Sequence, residues 1–84
     1  MMTAKQVCNI LVANTDPMTT TGNHTRALVE ELVGRVDIAT MRAGVKLAEA
    51  KFERLNERLD EPGYLVAAIC VRDFFMQCCA PRVV

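Results

Sequence analysis

Few side chains in this sequence are of a type that does chemistry: four cysteines (Cys8, Cys70, Cys78 and Cys79), one histidine (His24) and the acidic pair Glu30-Glu31. A zinc site needs ligands in closely spaced pairs. Here Cys78 and Cys79 are adjacent and the single His24 is remote in sequence, so no metal set is expected. All four cysteines lie in apolar stretches, where a free thiol behaves as a small hydrophobe. They are expected to be reduced and mostly buried. Cys78-Cys79 falls at a helix C-terminus, whose negative partial charge raises a thiol's pKa and weakens it as a nucleophile. His24 sits in a Thr-rich stretch and reads as a surface or capping residue. Glu30-Glu31 reads as a solvated patch. Gly22, Gly34, Gly44 and Gly63 stand singly, so no glycine-rich phosphate loop exists. The expectation is a protein without catalytic residues, cofactor or metal.

Charge and composition narrow the class further. Ten Lys+Arg balance ten Asp+Glu, which removes the basic face typical of a nucleic-acid binder. A helix-turn-helix regulator is the alternative reading. Its reading helix would need several Arg, Lys, Asn or Gln side chains on one face. Residues 24–35 offer Arg26 and Arg35, opposed by Glu30 and Glu31. The hydrophobic content of 51% excludes disorder as the main state. No long apolar stretch follows Met1 and Met2, and the longest apolar run is Tyr64 to Val71. A membrane span needs about 20 such residues, so a cytoplasmic location without a membrane is expected. The 84 residues allow one domain, 1–84, in which a lone core is marginal and self-association helps.

The elements that position these residues all have helical period. Thr3 and Gln6 fit a capping box that opens a first helix over about 4–13. Asn14-Thr15-Asp16-Pro17 stops it, and 14–23 reads as the one extended loop. Asn23 or Thr25 can cap the next segment, and no Pro interrupts the chain from there to Leu59. One apolar series runs Val29, Leu32, Val36, Ala39, Ala43, Leu47, Ala50. A second runs Ile38, Met41, Val45, Ala48, Phe52, Leu55, Leu59 with alternating steps of three and four, a heptad seam. The two series lie on nearly opposite faces, with Arg42, Lys46, Glu49 and Glu53 on one edge between them. The pattern favours one long or kinked helix over 24–59; a break near 34–37 is the alternative. Asp60-Glu61-Pro62-Gly63 ends it and starts a last, nearly all-apolar helix over 62–79. Such a helix is expected to sit inside something. Pro81 closes it, leaving 80–84 as a tail. No segment alternates with period two. The fold class is all-α: a small bundle of three major helices, or four if the middle one breaks.

The apolar surface of these helices exceeds what they can cover among themselves, which points to a second copy or another protein. The seam defines an expected homodimer interface: Ile38, Met41, Val45, Ala48, Phe52, Leu55 and Leu59. Arg42 and Glu49 would meet across the pair with opposite charge. In the antiparallel register Val45 faces Ala48, Met41 faces Phe52 and Ile38 faces Leu55. The alternative is that the last helix of the same chain fills this seam. The functional expectation is a protein–protein interaction module: an adaptor, regulator or inhibitor of an unidentified partner protein, acting as a homodimer. Size and composition are analogous to those of phage or mobile-element proteins that block a host component.

Overall fold

The computed structural model describes residues 2–15 and 23–79. They form four helices: α1 (Ala4–Asn14), α2 (Asn23–Arg35), α3 (Ile38–Leu59) and α4 (Gly63–Cys79). The fold is a small all-α bundle. The expectations for the 16–22 part of the loop and for the 80–84 tail lie outside the described residues.

The capping box opens α1 as the sequence predicts. The Gln6 backbone N–H donates to Thr3 Oγ1 at 3.2 Å, and the Thr3 N–H donates to Gln6 Oε1 at 2.8 Å. Two N–H groups that the helix leaves without internal partners are thereby satisfied. At the other end the Asn14 side-chain amide donates to the Ile10 carbonyl at 2.8 Å.

The middle segment is two helices, which corrects the favoured reading of one long helix. The Val36 N–H donates to the Leu32 carbonyl at 3.1 Å and completes the last turn of α2. Asp37 then adopts φ −72°, ψ 159°, and its carbonyl accepts from the Met41 N–H at 2.9 Å to begin α3. The extended ψ turns the chain, and Asp is among the residues that favour this flanking position. With the break, α2 packs against α4 and α3 packs between α1 and α4.

α3 ends at Asp60, whose φ of 50° and ψ of 45° place it in the left-handed region. Asp tolerates that conformation better than most residues with a side chain. Pro62 then stands just before α4, and its carbonyl accepts from the Leu65 N–H at 3.0 Å. This tight connection makes α3 and α4 an antiparallel hairpin.

All four helices contribute to one core, with Val7 and Leu11 from α1, Val29 from α2, Met41 and Phe52 from α3 and Val71 from α4 fully buried. The Phe52 and Tyr64 rings stack at 6.3 Å between centroids, tying the hairpin together near its turn. α1 approaches α3 closely at Gly44. A Cβ built there would meet Val7 Cγ1 at 2.5 Å and the Ala4 carbonyl oxygen at 3.1 Å, so only glycine admits this approach. Among the described residues no helix is long and apolar enough to cross a membrane.

Candidate interaction surface

The heptad seam is occupied from within the chain. Met41, Val45, Ala48 and Phe52 are all buried, by α1 on one side and α4 on the other. Leu55 is half-buried and Glu49 is half-buried. Ile38, Arg42 and Leu59, at or beside the seam's ends and edge, are exposed. A register that sets Val45 against Ala48 of a second copy therefore has no exposed surface on which to form. Of the two readings of the seam, the fold carries the one in which helices of the same chain fill it.

The apolar excess lies elsewhere. α4 was expected to be enclosed, yet Leu65, Val66, Ile69 and Met76 are all exposed, Met76 by 60%. Only Ala67, Ala68, Val71 and Phe75 of this helix reach the core. The physical reason is where its neighbours lie: α4 packs on α3 and α2, which cover the side carrying Ala67, Ala68, Val71 and Phe75. Its remaining surface stays apolar and open.

A groove runs between α3 and α4 on this open side. Its larger part, about 550 Å³, has Val45, Phe75, Met76 and Cys79 among its apolar walls. A smaller part of about 250 Å³ continues toward Leu65, Ala68 and Ile69. Glu49 and Arg72 stand where the two meet. Arg72 Nε lies 4.0 Å from Glu49 Oε1 across the groove and 3.6 Å from Asp73 Oδ1. Burial pushes the Glu49 carboxyl above its ordinary value, and the Arg72 guanidinium opposes that shift. Arg42 holds its guanidinium 5.9 Å from the Phe75 ring centroid, a cation–π distance.

Two parallel lines of side chains therefore rim the groove. On α3 they are Arg42, Lys46, Glu49 and Glu53; on α4 they are Leu65, Ile69, Arg72 and Met76. Each line has steps of four, three and four, the spacing of one helix stripe. The α3 line was legible in the sequence as a polar edge. The α4 line is not legible there, because a helix apolar nearly all round gives no sign of which side its neighbours cover.

Cys8 is buried, Cys70 and Cys79 are half-buried and Cys78 is exposed, and no disulfide joins them. The expectation that the cysteines are mostly buried is thus corrected for Cys78, which is exposed in the last turn of α4 near Glu30 of α2. Partial burial and then the nearby Glu30 carboxylate push the Cys78 thiol pKa up, so it remains a weak nucleophile. His24 is exposed at the start of α2. On α2, Arg26 lies over the Phe74 ring at 5.1 Å, and Arg35 pairs with Glu31 at 3.4 Å. Both arginines that a DNA-reading helix would present are engaged with side chains of the chain itself.

The chain matches no protein-family model, no curated protein and no solved structure.

Proposed function

We propose that this chain is a non-enzymatic protein–protein interaction module that works as a homodimer, an adaptor, regulator or inhibitor acting by occupying a surface of a partner protein. The reading is carried by one observation: the open side of the α3–α4 hairpin keeps large apolar side chains in water beside a groove. Contiguous exposed apolar surface of this kind marks contact sites in small proteins. A core this small also gains stability from association, because a second copy that binds only the folded form shifts the folding equilibrium.

Sedimentation at micromolar concentration tests the reading. The expected species has twice the chain mass of 9.3 kDa. A single 9.3 kDa species across the whole accessible concentration range would refute the homodimer.

A further inference from the structure

We infer that two copies associate face to face through the open side of the α3–α4 hairpin, antiparallel, about a two-fold axis that crosses α3 between Leu47 and Ala48; the inference rests on the homodimer reading above and assigns its face and register.

The charges on the α3 rim carry this assignment. Read along the helix, Arg42, Lys46, Glu49 and Glu53 run positive, positive, negative, negative. A line of that order is complementary to its own reverse. Turned about an axis between Leu47 and Ala48, Lys46 of one copy meets Glu49 of the other, and Arg42 meets Glu53. Two-fold symmetry makes each pairing occur twice. None of the four pairings brings like charges together. A parallel arrangement of the same two lines sets every charge against its own copy. The small exposed Ala39, Ala43 and Ala50 stand beside the line and leave room for a second helix.

The α4 rim selects the same geometry independently. Two in-plane axes can bring these faces together. An axis along the helices lays the charged α3 line of one copy on the apolar α4 line of the other. The one charge of the α4 line is Arg72, so the basic Arg42 and Lys46 would be buried against that line without an acidic partner in it, which is costly. An axis across the helices lays charged line on charged line and apolar line on apolar line. Glu49 meets Arg72 across the groove, so this axis crosses α4 close to Asp73 and Phe74. Ile69 of one copy then comes within a turn of Met76 of the other. Both side chains are about half exposed or more in the single chain, at 49% and 60%. Arg72 lies 3.6 Å from Asp73 and 4.0 Å from Glu49 of its own chain, so it enters the contact partly neutralised, with Glu49 shared between Arg72 and the second copy's Lys46.

The test is a pair of single substitutions on exposed positions, followed by mixing. Arg42→Glu places a carboxylate against Glu53 of the second copy, twice per dimer. Glu53→Lys places an ammonium against Arg42, twice per dimer. Each variant alone is expected to dissociate about tenfold more readily than the unmodified protein, since two attractive surface pairs become repulsive. Mixed in equal amounts, the two variants regain every pairing in the heterodimer, and association is expected to return to the unmodified level. Circular dichroism checks that each variant stays folded. A second measurement needs no variant: carbodiimide coupling of an equal mixture of ¹⁴N- and ¹⁵N-labelled protein. Mass spectrometry should then find Lys46 joined to Glu49 between differently labelled chains. If the unmodified protein is dimeric but mixing restores nothing and no such cross-link forms, the register is overturned while the homodimer stands. If the unmodified protein is monomeric, both readings fall together.

Discussion

The two sides of α3 are both apolar, the inner one with the larger side chains, and have opposite fates. On the inner side, Gly44 lets Val7 of α1 approach until no atom could be added between them, and Met41, Val45, Ala48 and Phe52 are buried between α1 and α4. On the outward side Ala39, Ala43, Leu47 and Ala50 stay exposed, and so does the neighbouring rim of α4. Apolar character alone does not separate the two sides. What separates them is where the break at 36–37 sends α2: it goes to α4 rather than over the outward side of α3. A helix apolar on two faces thus finds one set of neighbours in its own chain and presents the other. The covered side should respond to every atom removed or added, the outward side hardly at all.

Phe52→Ala should give the largest effect. Phe52 is the largest of the fully buried side chains, and its ring stacks on Tyr64 across the α3–α4 turn. Truncating a buried Phe costs about 3–5 kcal/mol, through lost burial and the cavity left behind. A domain of this size has about 5 kcal/mol of stability. About 0–2 kcal/mol then remains, so urea denaturation should find the variant partly unfolded before denaturant is added or unfolding at the lowest concentrations. A variant with the unmodified midpoint would mean that Phe52 is not enclosed by this bundle.

Glycine substitutions sharpen the comparison within one residue type. At Gly44 a methyl group would enter space already held by Val7 and the Ala4 carbonyl. α1 must shift, and overpacking of this kind costs about 1–3 kcal/mol. The gain of about 1 kcal/mol in helix propensity from Gly to Ala offsets part of it. Gly34, also helical, has nothing within 4 Å of the same added atom. There the propensity gain stands alone, so Gly34→Ala should stabilise and Gly44→Ala should destabilise. Denaturation midpoints moving the same way in both variants would contradict the close approach of α1.

The same contrast explains what the sequence could reveal. Thr3 with Gln6, and Asp60 to Gly63, are local signals, and each marked a helix end without help from the rest of the fold. The break at 36–37 was harder to read because Val29, Leu32, Val36, Ala39 and Ala43 keep their three-and-four spacing straight across it. Periodicity is blind to an interruption that preserves phase; only Gly34 and Asp37 signalled it. The heptad seam was legible as an apolar stripe, but a stripe does not say whose helix covers it. Val7 and Gly44, far apart in sequence, decide that for one side, and their fit appears only when α1 is docked. The α4 rim was hidden for the opposite reason. Leu65, Val66, Ile69 and Met76 look like core residues by type, and exposure depends on the position of α2 rather than on their own chemistry. Cys78 follows the same rule, being apolar in surroundings along the chain and exposed in the fold.

The smallest effect is expected on the outward side, at Val66. Its side chain is half exposed, at 51%, on the surface of α4. Replacing it with Gln removes apolar surface that water already reaches, so little transfer free energy is lost. The substitution also exchanges a β-branched residue for one with better helix propensity. The two terms are small and opposed, and surface changes of this kind stay within about 0.5 kcal/mol. The measurement has to be made on dissociated chains, because association would add its own contribution to apparent stability. Urea denaturation of Val66→Gln in dilute protein should then reproduce the unmodified midpoint. A loss as large as that at Gly44 under those conditions would mean that the chain covers this side of α4 itself. In that event the contrast between the two sides of the molecule, and the open face built on it, would not survive.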